Sequence, residues 1–401
     1  MLTLLNAPFI DFNGNVGSSP AVEIFGFGIA YYAIIIVTGI VVAMLMFAHL
    51  LKVKGLNSDD CLDYAIFVLP LAVLACRVYF FLFPYVPSSV QSQIEGGLIS
   101  VQPFVSKFAV SYGWSEFWQF RDGGMGIYGG IIMGYIVVRV VAFCKIQNFT
   151  RIADIIVPCV LIAQSIGRWG NFVNQEAYGN LIENPAWQWF PVAVKIGSRY
   201  YQATFFYESF FTCIGGVFSF WFLTKSKHYR RGFNLAFYGI YYGILRLVVE
   251  SFRSDSLYLW IRLNDTEALY TGIKISQLVS WIAIIMGVVT LVLVFTKWDI
   301  KLDVWFAKKS KALQRFDKKI ITAQQNYDNL LAKADALLQQ WPADSDVVVS
   351  TKKKADYAFL ELRKIKRRKK DYLDDFASRG VNLTELSSDN SAVVVRESSE
   401  E

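Results

Sequence analysis

The segment GRWGNFVNQEAYG, residues 167–179, places charged and amide side chains at the end of an apolar run that is long enough to cross a membrane. Arg168, Asn171, Asn174 and Glu176 fall within this short stretch. An unpaired charge at the centre of a bilayer costs at least about 2.5–3.5 kcal/mol on insertion scales. The segment therefore predicts a functional site, in which bound partners offset the cost of burying these groups.

The composition of the chain is that of an integral membrane protein. Of its 401 residues, 54% are hydrophobic and only 18% are charged, and the mean hydropathy is +0.35. Residues 298–401 contain 20 basic and 17 acidic side chains, about half of all the charges. We therefore divide the chain into a membrane domain at 1–297, a charged helical extension at 298–380 and a tail at 381–401 that is predicted to be disordered.

The charge balance and the cysteines exclude several classes of protein. The net charge of +7 is spread over the membrane domain and the tail, so it does not indicate a nucleic-acid partner. Five cysteines lie in or beside apolar runs without the spacing of metal ligands, and we expect no metal and no cofactor. The first 23 residues lack the basic region of a cleaved signal peptide, so the first span is expected to direct insertion.

Seven stretches are apolar and long enough, or nearly so, to cross a bilayer as helices. They are residues 24–50, 61–84, 124–144, 152–172, 204–224, 234–252 and 275–296. The connections after the first, third and fifth spans are short and basic, whereas the N-terminal segment has no Lys or Arg. The sequence thus predicts an all-α membrane protein with seven transmembrane helices, its N-terminus outside and its C-terminus cytoplasmic.

The extension has a pattern of its own. From Leu313 to Trp341, apolar side chains recur at alternating spacings of three and four, which is the pattern of a coiled-coil seam. A second stripe runs from Ala355 to Phe376. We expect a cytosolic helical hairpin or coiled coil that binds an unknown cytosolic partner or associates with itself. The basic run at 364–370 is interpreted as a solvated helix face, with anionic lipid or nucleic acid as alternative ligands.

Charged residues also interrupt three other apolar runs. Arg77 lies in the second span and Glu208 in the fifth, while Arg246, Glu250 and Arg253 share one face of the sixth. These groups could serve only as clips between helices. Arginines nevertheless outnumber glutamates in this set: Arg77, Arg139, Arg168, Arg246 and Arg253 against Glu176, Glu208 and Glu250. The excess predicts an anion site. Arginine binds phosphate through two nitrogen donors at once, and near the membrane surface the abundant phosphate is that of a phospholipid headgroup.

The spacing within the opening segment suggests how it is used. Arg168 and Asn171 lie three residues apart and point to one side of a helix, while Asn174 and Glu176 fall where the helix ends and Gly179 is expected to cap it or to turn the chain.

The stretch GMGIYG at 124–129 matches a dinucleotide-binding pattern, but no strand precedes it and a membrane span follows. We therefore expect close packing or headgroup approach at these glycines.

The segment 167–179 resembles the central motif of the bacterial phosphatidylglycerol–prolipoprotein diacylglyceryl transferases, G-R-x-G-N-F-[VI]-N-x-E-x-x-G, at every fixed position. Supporting matches occur in the family's order: CRVYFFLF from Cys76, GGMGIYGG from Gly123, TFFYES from Thr204, YGILRLVVESFR from Tyr242 and ISQLVS from Ile275. The resemblance covers about residues 20–297 and leaves the extension outside.

The resemblance implies a multi-pass enzyme of the bacterial cytoplasmic membrane. It implies that the sn-1,2-diacylglyceryl group of phosphatidylglycerol moves to the lipobox cysteine thiol of a preprolipoprotein, and that glycerol 1-phosphate is released. By position, Arg168 resembles the family's phosphatidylglycerol-binding arginine and Arg246 its essential arginine. Glu250 is implied to act in catalysis with Arg246 and Tyr128. The resemblance implies that the headgroup is also bound by Asn171, Asn174, Glu176, Gly179 and Arg253, with Arg77 and Glu208 as supporting residues.

Two positions depart from the family pattern. The family commonly reads H-G-G, with its histidine proposed as the base for the thiol, where this chain has Tyr128. Gln202 and Ala203 stand in place of a His-Pro pair. The chain's only histidines, His49 and His228, fall on the inner side of the predicted topology. We expect Tyr128 to position the headgroup or the thiol by hydrogen bonding, while nearby arginines favour the thiolate.

Two other classes of function fit the same residues. A transporter or flippase for an anionic lipid or solute would use these arginines to bind its cargo. A catalytically inactive scaffold is suggested by the missing histidine and the added extension.

Overall fold

The computed structural model describes residues 3–4, 21–24, 27–82, 101–103, 117–118, 126–174, 177–196, 198–252, 258–262 and 267–386. Helices dominate these ranges. They are α1 Tyr31–Val53, α2 Asp60–Leu82, α3 Ile127–Lys145, α4 Phe149–Val173, α5 Thr204–Lys225, α6 Phe233–Ser251, α7 Ile275–Phe295, α8 Trp298–Lys309, α9 Ala312–Leu338 and α10 Asp346–Ser378.

Six helices within the described ranges, α1 to α5 and α7, are long and apolar enough to cross a membrane. Side chains such as Leu45, Ile131 and Ile285 are large, apolar and exposed, as expected for surfaces that face lipid. The prediction of a helical membrane protein is therefore confirmed at this level. Helix α6 occupies the predicted sixth span but is not among these six, and it carries glycines, tyrosines and Asn234 in addition to Arg246 and Glu250.

Helix α4 lies at the centre of the first compact unit, which comprises residues 1–141 and 149–292. It packs against α1, α5 and α6. Ile152 and Leu161 of this helix are fully buried, and Ile152 shares a core with Leu50 of α1 and Leu223 of α5. Helix α3 approaches α2 so closely that a Cβ atom at Gly129 would come within 2.2 Å of the Ala75 carbonyl oxygen. The glycine is thus required for packing.

Short antiparallel strands occupy segments that were predicted as loops, and they also take up residues 24 and 27–30, which were predicted to begin the first span. They are β1 Thr3–Leu4, β2 Ala21–Ile24, β3 Phe27–Ala30, β4 Val101–Pro103, β5 Ala193–Ile196, β6 Arg199–Gln202, β7 Tyr258–Arg262 and β8 Glu267–Lys274. They form sheets of order β1-β2-β3, β4-β8-β7 and β5-β6. Strand pairing satisfies backbone hydrogen bonds that a loop would leave to water.

A carboxylate of α4 caps the start of α6. Asp154 is fully buried and accepts hydrogen bonds from the backbone N–H groups of Gly232 at 2.6 Å and Leu235 at 2.9 Å. The Tyr229 hydroxyl donates to the same carboxylate at 2.6 Å. Burial, and then the charge of Asp154, raise the pKa of Tyr229 well above its usual value, so the phenol keeps the proton it donates. Helix α6 therefore obtains its N-terminal cap from another helix.

The second compact unit comprises residues 142–148 and 293–401. Helices α9 and α10 pack against each other, and Phe316, Leu362 and Phe376 are buried. The end of α3 belongs to this unit. Arg315 donates to the carbonyl of Phe143 at 2.9 Å and Lys319 to that of Cys144 at 3.0 Å. Basic side chains thus satisfy carbonyl groups at a helix C-terminus, where cations are favoured.

We expect Asp154→Ala to lower the free energy of unfolding by about 3 kcal/mol, because it leaves one buried and two partly buried donors without their acceptor, and a buried unsatisfied donor costs about 1–3 kcal/mol. Thermal unfolding of the purified protein in detergent measures the change. Asp344→Ala, at an exposed aspartate between α9 and α10, is the control and should unfold like the wild type. Equal melting temperatures for Asp154→Ala and the wild type would contradict the assignment of this cap.

Candidate active site

Glu208 of α5 lies between two arginines from neighbouring helices. Its Oε1 atom is 2.6 Å from Arg168 Nη2 of α4, and its Oε2 atom is 3.2 Å from Arg246 Nη1 of α6. The Glu208 side chain is only 3% exposed, whereas those of Arg168 and Arg246 are 19% and 17% exposed. Charge-assisted hydrogen bonds of this kind are about twice as strong as neutral ones, and they offset the burial of the three groups.

A pair of serines holds α4 and α5 in the register that this arrangement requires. Ser165 Oγ donates to the Ser209 carbonyl and Ser209 Oγ to the Ser165 carbonyl, each at 2.8 Å. The indole N–H of Trp169 donates to Ser209 Oγ at 3.1 Å. Because Ser209 follows Glu208 and Ser165 lies one turn before Arg168, these reciprocal bonds fix the height at which the ion pair forms.

The chain of charges continues along α6. Arg246 Nη2 lies 2.9 Å from Glu250 Oε2, the i, i+4 pair that the sequence predicts. Tyr128, in the first turn of α3, lies close enough to Arg246 and Glu250 to interact with them electrostatically. Its ring centroid is 5.9 Å from that of Tyr79 on α2. Tyr128 therefore lies within electrostatic range of Arg246 and Glu250, the residues that the sequence assigned to catalysis.

A cavity of about 560 Å³ opens beside Arg168. Its polar end is formed by Gln164, Arg168 and Asn171 of α4 with Tyr242 of α6. The rest is lined mostly by apolar side chains of α1 and α2. These include Ile36, Ile40, Met44, Phe47, Val68 and Leu69. This volume lies within the usual range for ligand sites, and the division into one polar end and a long apolar wall suits a lipid.

Two tyrosines and a glutamine join the site without having been predicted. The Tyr242 hydroxyl donates to Glu208 Oε1 at 3.1 Å and lies 3.5 Å from Arg168 Nη2. The Tyr238 ring stacks on that of Tyr242, and its hydroxyl accepts from Gln164 Nε2 at 2.9 Å. The sequence held a signal, since Tyr238, Tyr242, Arg246 and Glu250 recur every four residues on one helix face.

The other predicted residues lie in several places. Gly179 donates its N–H to the Gln202 carbonyl at 3.0 Å, and a Cβ atom there would lie 2.8 Å from the Gln202 side chain. Asn174 follows the last turn of α4, with its N–H bonded to the Gly170 carbonyl. Arg77 is buried on α2 and donates from Nε to the Phe117 carbonyl at 2.9 Å. Glu176 and Arg253 lie outside the described residues.

The excess of arginine over glutamate that the sequence suggested is not found in the part of this cluster that the structure describes. Two arginines, Arg168 and Arg246, meet two glutamates, Glu208 and Glu250. Arg139 stacks instead on Phe149, 5.0 Å from the ring centroid. Among the described residues, however, the polar contacts of Arg168 all run through Nη2, which leaves Nη1 and Nε as hydrogen-bond donors for a ligand.

Comparison with known proteins identifies the family. The family model described as prolipoprotein diacylglyceryl transferase matches residues 20–293. The chain belongs to this family. It is similar to the phosphatidylglycerol–prolipoprotein diacylglyceryl transferase of Streptococcus uberis, with 35% identity over 277 residues, which cover 68% of the chain and 93% of that protein. The protein of the same name from Streptococcus pneumoniae is 34% identical over 276 residues, which cover 68% of the chain and 92% of that protein.

Membership of the diacylglyceryl transferase family favours a transferase over a transporter or flippase. The predictions of a transferase and of a multi-pass cell membrane protein are confirmed, and the reading as a transporter or flippase is not. The family match ends at residue 293, so helices α8, α9 and α10 lie beyond it.

We expect Glu208→Gln to destabilise the protein by about 3 kcal/mol, because removing one partner of a buried ion pair leaves the other charges uncompensated. Thermal unfolding in detergent tests this expectation. The matched control is Glu361→Gln on α10, whose pair with Lys364 is exposed, and exposed pairs contribute little. An equal effect of the two substitutions would contradict the structural role of Glu208.

Proposed function

We propose that the chain transfers the sn-1,2-diacylglyceryl group of phosphatidylglycerol to the lipobox cysteine thiol of preprolipoproteins, forming a thioether and releasing glycerol 1-phosphate. The observation that carries the proposal is the cavity whose polar end holds Arg168 and whose wall is apolar. The sulfur forms a bond to the glyceryl carbon as the bond from that carbon to the phosphate oxygen breaks. The thiol proton leaves to solvent and balances the second negative charge on the phosphate monoester.

Arg168 is the residue that we assign to the phosphodiester. Its Nη2 atom is held by Glu208 and Tyr242, which fixes the guanidinium plane, and its other donors are available for phosphate oxygens. Asn171 lies one turn further along α4 at the same end of the cavity, with Asn174, Glu176 and Gly179 completing the motif. Within the described part of the chain, the buried side-chain oxygen of Gln164 has no hydrogen-bond partner, and it can accept from a headgroup hydroxyl.

Arg246 is the residue that we assign to the leaving group. It is tied to Glu208 and Glu250 and is thereby pre-oriented, so charge that develops on the phosphate meets fixed donors. Glu250 acts on the reaction through this contact. Tyr128, next to this pair, orients the thiol or the headgroup by hydrogen bonding. Arg253 is proposed as a further headgroup contact and Arg77 as a supporting residue.

The predicted topology is part of the proposal. Helix α6 crosses the bilayer as the sixth of seven spans, because its Arg246 is paired with both Glu250 and Glu208, which offsets the cost of these charges in the membrane. The N-terminus lies outside and the C-terminus in the cytoplasm. Residues 1–297 form the transferase domain. Residues 298–380 form a cytosolic helical hairpin that binds an unknown partner or a second copy. Residues 381–401 form a tail, although its Leu383–Leu386 segment is a short helix with Leu386 buried.

The direct test supplies purified protein with phosphatidylglycerol and a lipobox peptide and measures the thioether product by mass spectrometry. We expect Arg168→Lys to raise the KM for phosphatidylglycerol about tenfold or more. Lysine keeps the charge but cannot donate two parallel hydrogen bonds to a phosphate, and a hydrogen bond to a charged group contributes about 1.5–3 kcal/mol. Arg168→Ala should be inactive.

Arg139→Lys is the matched control for Arg168, because Arg139 also lies in a membrane helix but stacks on Phe149 away from the cavity. Its KM should equal that of the wild type. Absence of product from the wild-type protein would refute the proposed reaction and favour the inactive scaffold. An Arg168→Ala protein with unchanged KM and kcat would refute the headgroup assignment alone.

We expect Tyr128→Phe to lower kcat about fivefold to tenfold, the effect of losing one hydrogen bond of about 1 kcal/mol in the transition state. Tyr128→His, which introduces the residue that the family commonly carries, should retain activity. Tyr135→Phe changes an exposed tyrosine on the same helix and should have no effect. Unchanged kcat in Tyr128→Phe would remove this hydroxyl from the mechanism.

A further inference from the structure

Helix α8, residues 298–309, carries two different faces, and it begins only three positions after α7 ends at Phe295. One face is directed into the second unit. Ala307 is buried with Phe376 and Leu386, and Val304 packs against the same cluster. This face therefore already has its partners within the chain.

The acidic groups of α8 are neutralised on the packed side. Arg379 Nη2 lies 2.7 Å from Asp299, and Arg379 Nη1 lies 2.6 Å from Asp303. These three side chains are less than one-fifth exposed. The two carboxylates thus lie away from the opposite face and are paired with Arg379, so they add little negative charge to that face.

The opposite face is aromatic and basic. Trp298, Leu302 and Trp305 lie at spacings of four and three, and they are 53%, 38% and 50% exposed. Lys301 Nζ lies 4.8 Å above the Trp298 ring and Lys309 Nζ lies 4.6 Å above the Trp305 ring. The face thus combines two indoles, one aliphatic side chain and two ammonium groups on about three helical turns.

We propose that this face of α8 docks on the surface of an anionic phospholipid bilayer. Tryptophan prefers the depth of the lipid headgroups, where its ring is buried and its N–H stays hydrated. Lysine stems extend over the apolar surface and place their charges among the phosphates. An α7 that spans the membrane brings the chain to that surface, since only Thr296 and Lys297 separate it from α8. A helix of this composition lies in the plane of the interface.

This docking gives the extension a fixed attachment to the membrane. Because Phe376 of α10 and Arg379, the residue after its end, hold the other face of α8, the bilayer surface orients α10 as well. The inference does not depend on the transferase reaction, since no residue of the proposed active site takes part.

The test uses the full chain in lipid nanodiscs and a spin label at Leu302→Cys, in a background in which the exposed Cys144 and Cys213 are replaced by serine. The spin-label signal of the same background protein without the Leu302→Cys substitution is measured and subtracted. Collision rates with oxygen, which partitions into lipid, and with a water-soluble nickel complex report the depth of the label. Leu331→Cys on α9, a leucine of similar exposure at 44%, is the matched control.

In discs that contain phosphatidylserine, we expect the label at 302 to be protected from nickel and accessible to oxygen, while the label at 331 is accessible to nickel. Two lysines near an anionic surface favour the docked state about 30-fold. Lys301→Glu with Lys309→Glu should remove at least this factor, and Lys352→Glu with Lys353→Glu, at exposed positions of α10, should not.

Three results would overturn the proposal. The label at 302 could be as accessible to nickel as the label at 331 in every lipid, which would mean that the face stays in water. It could be protected from both reagents regardless of lipid, which would mean that protein covers it. Protection that is equal in phosphatidylcholine and phosphatidylserine would exclude a role for the two lysines.

Discussion

The ion pairs of Glu208 are the interaction on which the membrane unit depends. One carboxylate joins Arg168 of α4 to Arg246 of α6 and is itself carried by α5, so three helices meet at a single buried group. In a bilayer, such charges are tolerated only when they are paired, and the pairing then fixes helix rotation and height. Asp154 acts in the same way at the start of α6. Helix α6 is therefore held to its neighbours near both ends by carboxylates.

Much of the helical framework could be predicted from hydropathy alone. Span limits such as 275–296 and 204–224 differ by only a residue or so from α7 and α5, because a bilayer requires about twenty apolar residues in each crossing. The strands β5 and β6 were missed, since four-residue segments give no clear alternation. The cap by Asp154 was missed as well, because its donors lie more than seventy residues further along the chain.

The site could be predicted where the residues involved share one helix. Arg246 with Glu250 and Arg168 with Asn171 follow from helical spacing. Tyr242 and Gln164 were missed, because neither a tyrosine nor an amide in an apolar run is unusual enough to stand out. The count of arginines against glutamates says little about the described part of the cluster, for another reason. A count ignores where each side chain points, and Arg77 binds the Phe117 carbonyl while Arg139 stacks on Phe149.

The described cluster contains two arginines and two glutamates, and this equal number of charges fits the proposed reaction better than an excess of positive charge would. Phosphatidylglycerol carries one negative charge, and the departing glycerol phosphate gains a second as the bond breaks. Catalysis therefore requires hydrogen-bond donors that stabilise this second charge more strongly than the first. Arg168 and Arg246 are already oriented by Glu208 and can do so without reorganising. A surplus of guanidinium groups would bind the dianionic product more tightly than the substrate and slow its release. In the proposed reaction, Glu208 would therefore support turnover as well as assembly, because it limits the affinity of the site for the product.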